Sequence, residues 1–281
     1  MSYNSIKLLR KLEKKTLFVG EVAQAHNGSL KLACSYIDAC KNAGADVVKF
    51  QCHYADEEST LDEPFRVKFS KKYKSRFDYW KNMEFTKKEW KYLYNYSRKK
   101  GLLFICSVFS LKAFKIINEL DVCAWKIASG EVQNFNLIRK IISTKKPIIV
   151  STGLSNYKEI DVLVKYLRKY KANFILMQCT SKYPTPLKDV GINILDQYKK
   201  KYKCKIGLSD HSGTIYPSLL ACSKKASLVE VHVAFNKKDN GVDSSSSLDF
   251  KELKYLTNIN DSLSIIINNP VKKNNISNKL R

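Results

Sequence analysis

Long apolar runs are missing from this 281-residue sequence, and none approaches the ~20 residues that a helix needs to cross a bilayer. Met1 to Lys15 is polar and basic without an apolar centre, so no secretory leader is expected there. The eight cysteines, at 34, 40, 52, 106, 123, 179, 204 and 222, form no Cys-x-x-Cys pair. Several sit inside apolar runs, which predicts reduced core thiols in a cytoplasmic protein rather than a disulfide scaffold. No Gly-rich dinucleotide fingerprint is present, and no tight four-ligand cage that would hold a structural zinc. Acidic residues are also short, 26 against 50 Lys and Arg, for a formal net charge of +24. Such a balance invites a nucleic-acid partner. The lysines are instead spread over nearly every expected helix and do not gather with aromatics in one segment. A lysine-rich solvated surface is the reading that follows, with no nucleic acid bound and a positive field that draws in anionic substrates.

With 44% hydrophobic residues the chain can bury one large core. Its apolar runs repeat as eight short strands separated by helical patterns: Leu17 to Val22, Asp46 to Phe50, Leu102 to Cys106, Cys123 to Ile127, Pro147 to Val150, Phe174 to Gln178, Cys204 to Leu208 and Leu228 to Val233. Leu30, Ala33, Cys34 and Ile37 share one face of the first intervening helix, which stops near Gly44. Thr86 and Glu89 read as a capping box, and a last helix spans about Leu248 to Ile267. A long polar and aromatic stretch, Ala55 to Phe85, carries Phe65, Phe69, Tyr73, Phe77, Tyr79 and Trp80, which argue for an ordered lid or interface. Eight strand–helix units predict an α/β fold, a single-domain (β/α)8 TIM barrel over 17–267. An open doubly wound sheet is the alternative. Residues 1–16 are expected to be an N-terminal extension, and 268–281 a polar, disordered tail.

In such a barrel the site lies at the carboxyl ends of the strands. Those ends carry Glu21, Lys49, Gln51, Ser107, Lys126, Ser129, Glu131, Ser151, Thr180, Ser209 and His211, over interiors that read as apolar. All four histidines, 26, 53, 211 and 232, fall at or just after strand ends. His211 and His232 lie one helical crossover apart, so neighbouring strands would let both imidazoles meet one ion. A divalent ion with open positions, such as Mn²⁺, suits two imidazoles plus oxygen ligands. Lys49 and Lys126, set among hydroxyls, read as an anion pocket for phosphate or carboxylate. Glu21 and Glu131 could serve as acid, base or electrostatic stabiliser, or as plain salt-bridge partners of those lysines.

These motifs resemble the sialic acid (N-acetylneuraminate) synthase family. The resemblance is carried by Gly20-Glu21 with His26-Asn27-Gly28, Ala45-Asp46-Val47-Val48-Lys49-Phe50-Gln51 and Lys126-Ile127-Ala128-Ser129-Gly130-Glu131. Further on come Ser151-Thr152-Gly153, Cys179-Thr180-Ser181-Lys182-Tyr183-Pro184, Ser209-Asp210-His211 and Glu230-Val231-His232. It implies a phosphoenolpyruvate-dependent transferase that forms a C–C bond with an N-acylated hexosamine, giving a nine-carbon 2-keto-3-deoxy sugar acid and phosphate. It also implies roles. Lys49, Ser107, Lys126, Ser129, Ser151 and Ser209 would hold phosphoenolpyruvate. His211 and His232 would bind Mn²⁺, or Mg²⁺ or Co²⁺, with Glu21 close to the metal water. Glu131, Ser181, Tyr183 and Asp243 would hold and polarise the sugar.

The chain departs from the family pattern in several places. Ala25 precedes His26 where Asn is usual, Cys106-Ser107-Val108 replaces Ser/Thr-Thr-Pro, Val231 replaces a basic residue, and Val242 replaces a Pro. It also stops where many relatives begin a C-terminal antifreeze-like domain, which there reaches the partner's sugar site. That leaves the sugar unspecified and weakens the usual ground for a homodimer, the assembly the resemblance implies. Competing readings are another phosphoenolpyruvate–aldose condensing enzyme, a non-catalytic barrel, and a polyanion binder using surface lysines such as Lys71, Lys72, Lys87 and Lys88.

Overall fold

The computed structural model describes residues 1–65, 73–239 and 241–271. Eight parallel strands close into a barrel in chain order: β1 Leu17–Ala23, β2 Val47–Cys52, β3 Leu103–Val108, β4 Ala124–Ile127, β5 Ile148–Ser151, β6 Phe174–Cys179, β7 Lys205–Asp210 and β8 Leu228–His232. Every strand pairs in parallel with the next, and β8 returns to β1. The expected (β/α)8 architecture is therefore the one observed. Among the described residues the helices are α1 Tyr3–Leu12, α2 Leu30–Asn42, α3 Ala55–Glu58, α4 Arg76–Met83, α5 Lys87–Lys99 and α6 Leu111–Asn118. They continue as α7 Phe135–Ser143, α8 Tyr157–Lys169, α9 Asn193–Tyr202, α10 Tyr216–Ser223 and α11 Phe250–Asn268. Local sequence sets their starts. Thr86 and Glu89 form the expected capping box of α5, and Asn156 with Glu159 and Asp249 with Glu252 do the same for α8 and α11.

The strands have two buried faces, so their alternation sorts side chains into two cores. Phe18, Val48, Phe50, Phe104, Trp125, Ile148, Leu176 and Val229 point out and pack beneath the helices. Leu17, Val19, Val47, Leu103, Ile105, Ile149, Ile175, Met177 and Leu228 point in and fill the lower barrel. Leu8 and Leu12 of α1 close the bottom of this inner cluster, so much of the segment read as an extension is a helical plug. The same phase runs upward along each strand, carrying Glu21, Lys49, Ser107, Lys126, Ser151, Cys179, Ser209, Glu230 and His232 inward above the apolar layers. The long stretch 55–85 is not a bare loop: α3 and α4 form within it, while Phe69 lies outside the described residues. A glycine in the loop between β1 and α2 answers a close approach of that stretch. Gly28 has φ +74° and packs so near the Asn82 carbonyl oxygen that an added Cβ would sit 2.1 Å from it. The expected tail is described only to 271, and its remainder lies outside the described residues. None of the described helices is long and apolar enough to cross a membrane.

Candidate active site

Strand register brings the charged residues together. Glu21 pairs with Lys49 on β2 and with His232 on β8, Ser107 with Lys126, and Ser209 with Glu230. Across the mouth, Lys49 Nζ lies 2.8 Å from Glu21 Oε2 and 3.6 Å from Glu230 Oε1, and donates to Ser107 Oγ at 3.2 Å. Lys126 Nζ meets Glu230 Oε1 at 2.7 Å, and Ser209 Oγ donates to the same oxygen at 3.2 Å. Two lysines and two glutamates, with side chains no more than 5% exposed, thus form a neutral quartet. Burial would lower Lys49, but Glu21 and Glu230 overcome it and hold its pKa above the ordinary lysine value. Lys126 is less well compensated: burial, seconded by the charge on Lys49, pushes it below that value against Glu230. For Glu230, burial would raise the carboxyl, but Lys126 and Lys49 hold it well below the usual carboxylate range.

Beside the quartet, His211 and His232 stand with ring centroids 5.2 Å apart. His211 Nδ1 lies 2.9 Å from the Thr180 carbonyl oxygen, while its Nε2 is 3.2 Å from the Tyr183 hydroxyl. His232 Nδ1 faces Asp243 Oδ2 at 3.6 Å. Burial and the neighbouring His211 lower the His232 pKa against the pull of Asp243 and Glu21. Burial also opposes charge on His211, yet Cys179, the Thr180 carbonyl and Glu230 carry its pKa upward. An acceptor facing Nδ1 of each ring leaves the Nε2 atoms as the natural ligating pair. No group of three His, Cys, Asp or Glu side chains arranged to hold a metal occurs among the described residues. Two imidazoles do not make a closed structural cage.

Twelve of the thirteen expected site residues line one cavity of about 830 Å³: Glu21, Lys49, Ser107, Lys126, Ser129, Glu131, Ser151, Ser181, Tyr183, Ser209, His211 and His232. Asp243 is the exception and reaches His232 from an adjoining cavity. Ser129 Oγ accepts from the Gly153 amide at 3.1 Å, and a Cβ on Gly153 would lie 2.6 Å from Ser181 Oγ, so the loops after β4, β5 and β6 meet tightly here. Ser151 Oγ is buried with no hydrogen-bond partner among the described residues, a hydroxyl free to donate to an anion. Burial raises the Glu131 carboxyl, with Asn134 opposing from 2.8 Å.

Sequence reasoning passed over several groups. Glu230, quoted only as part of a motif, is the carboxylate both lysines share. The strand interiors are thus not wholly apolar: an acid sits mid-strand in β8 because its side chain points into the mouth toward Lys126. Glu58, Trp80 and Phe109 also line the cavity beside His53, whose place at a strand end the sequence had given; only the aromatic richness around Trp80 hinted at the others.

Comparison with known proteins bears on this geometry. The chain is 34% identical over 249 residues to N,N'-diacetyllegionaminic acid synthase of Campylobacter jejuni, covering 86% of this chain and 75% of that protein. It is 32% identical over 247 residues to a pseudaminic acid synthase from Campylobacter jejuni, covering 86% of this chain and 72% of that one. The crystal structure of N-acetylneuraminic acid (sialic acid) synthetase from Leptospira borgpetersenii superposes with a TM-score of 0.81 at 29% identity. That match covers 92% of this chain and 86% of the other. The NeuB family model matches residues 36–271, a span holding nearly all of the mouth just described, and the chain belongs to the NeuB family.

Proposed function

We propose that this protein condenses phosphoenolpyruvate with an open-chain N-acylated hexosamine, giving a nine-carbon 2-keto-3-deoxy sugar acid and inorganic phosphate. The observation that carries the proposal is the pair of buried ammonium groups, Lys49 and Lys126, set among serine hydroxyls beside two facing imidazoles. A small polyanion is what such a pocket stabilises, because the lysines neutralise its charge and Ser107, Ser151 and Ser209 supply directional donors. A divalent cation such as Mn²⁺, held by His211 and His232, would supply Lewis acidity for the sugar's aldehyde oxygen.

The chain's own groups would do the rest. Lys49 and Lys126 exchange part of their pairing with Glu21 and Glu230 for the carboxylate and phosphate of the substrate. C3 of phosphoenolpyruvate would then bond to the aldehyde carbon with the electron pair of the C2=C3 double bond, the aldehyde π pair moving onto its oxygen. A water oxygen bonds to the C2 left electron-poor. The C2–O bond to phosphate breaks, and phosphate leaves with the bonding electrons. Glu21 would take the proton of the incoming water, and Glu131, whose carboxyl burial raises, would hold a proton near the sugar oxygens. Asp243, Tyr183 and Ser181 would orient the sugar. The test is phosphate release from phosphoenolpyruvate, with Mn²⁺ and a panel of N-acylated hexosamines, using substrate labelled with ¹⁸O in the bridging position. Label recovered in phosphate, with a sugar acid formed, is the expected result. Label retained in the sugar acid, or no phosphate release across the panel, would refute the proposal.

A further inference from the structure

The cavity wall beyond the end of β2 carries a chain of hydrogen bonds that reaches Glu21 through His53 and Glu58, to which the proposed reaction assigns no role. Glu58 Oε2 lies 2.6 Å from His53 Nδ1, and His53 Nε2 lies 3.1 Å from Gln51 Oε1. Gln51 Nε2 then donates to Glu21 Oε1 at 2.7 Å, and Glu21 Oε2 pairs with Lys49 at 2.8 Å. The direction of this chain is fixed by what each group can do. An ionised Glu21 only accepts, so Gln51 must turn its NH₂ toward it and its carbonyl oxygen toward His53. With Glu58 ionised as well, that oxygen and the Glu58 carboxylate both accept, and a ring donating at both nitrogens completes the chain.

The surroundings suit a cationic ring. His53 is sandwiched between Trp80 and Phe109, each with its centroid 4.0 Å away and tilted by 27° and 16°. Glu58 is anchored in turn, its other oxygen accepting from the Tyr54 amide at 2.9 Å. We propose that His53 and Glu58 are positioning residues of this site: as an ion pair they orient the Gln51 carboxamide, and through it they hold the Glu21 carboxylate beside Lys49 and His232. The proposal rests on the condensation reading for the meaning of Glu21, but the His53 protonation it requires is a property of the free protein. A packing role for His53 would need only the flat ring. A positioning role needs both N–H groups, which act in series with Gln51.

The test uses His53→Phe, which keeps a ring between Trp80 and Phe109 and removes both donors, with Gln51→Leu and the double variant. Phosphate release should fall about ten- to a hundredfold in kcat for His53→Phe, the usual loss when an outer partner of a site group is removed. The Michaelis constant for phosphoenolpyruvate should stay close to wild type, while His53→Phe should melt several degrees lower because the largely buried Glu58 loses its partner. The double variant should be no slower than Gln51→Leu alone, and losses that multiply would overturn the proposal. Independently of turnover, ¹⁵N spectra of histidine-labelled protein at neutral pH should show two protonated ring nitrogens, in a signal lost on His53→Phe. A neutral His53 ring with one bare nitrogen would overturn it too. If wild type released no phosphate with any sugar, the reaction assignment would fall and the spectrum would still judge the hydrogen-bond chain.

Discussion

Replacing Glu230 with Gln removes the carboxylate that Lys126 contacts and that Lys49 shares, at 2.7 and 3.6 Å, and barely changes volume. The quartet becomes a trio with one uncompensated buried ammonium, and both lysine side chains are only 3% exposed. Breaking a buried pair from one side costs about 3–5 kcal/mol, because the charge left behind still lacks water. Chains of this size lose roughly 2 °C of melting temperature per kcal/mol, so Glu230→Gln should melt about 6–10 °C below wild type. Inorganic phosphate, a stand-in for the phosphoryl end of the substrate, should restore more of that loss in the variant than it adds to wild type. Bound at a hundred times its dissociation constant it contributes about 2.7 kcal/mol. Acid supplies a second check. The Glu230 carboxyl is held below its ordinary value in the fold, so its contribution is complete above the unfolded pKa and disappears as pH falls through the folded one. The gap between wild type and variant should therefore be full at neutral pH and narrow below about pH 4.3. Thermal unfolding followed by circular dichroism, with and without phosphate and across pH, reads all three. A variant that melts with wild type, or gains no more than wild type from phosphate, would refute the neutral-quartet reasoning.

Lys126→Met should cut kcat/KM for phosphoenolpyruvate by orders of magnitude, since losing one buried hydrogen-bonded charge costs about 2–5 kcal/mol. Neutralising the exposed Lys87 and Lys88 should leave phosphate release unchanged; loss of RNA binding in that variant with normal catalysis in Lys126→Met would favour a polyanion binder. His211→Ala and His232→Ala should each abolish the response of phosphate release to added Mn²⁺ after chelation, while far-ultraviolet circular dichroism stays that of wild type; full activity in the double variant would exclude a metal held there.

Much of this site was legible because two periodicities coincide. The spacing of apolar runs counts the strands, and the inward phase of each strand places its last polar residue in the mouth. Lys49 follows Val47 and Lys126 follows Ala124 by two residues, on the same face as the inner apolar cluster. The ends of β7 and β8 could be matched from the chain because consecutive strands pair. The junction of β1 with β8 is different, since it exists only once the barrel closes, and it is what sets Glu21 beside His232. Polar chemistry at strand ends could be read from the sequence. The pairing of that chemistry across the barrel could not.

Glu230 shows why. Between Val229 and Val231 in an apolar run, it breaks no period and announces no turn. An acid there is tolerable only because Lys126 and Lys49 reach it from β4 and β2, strands that are not its neighbours. The surroundings of His53 hid for a related reason: Trp80 and Phe109, which flank its ring, come from α4 and the end of β3, and neither motif spacing nor periodicity links those positions. The two networks meet at Glu21, which receives Gln51 on one oxygen and Lys49 on the other. Glu21 is therefore the junction between the anion pocket and the aromatic wall. A charge change on either side reaches the group proposed to take the proton of the attacking water, and on that proposal the barrel has a reason to keep buried acids where apolar residues would pack more cheaply.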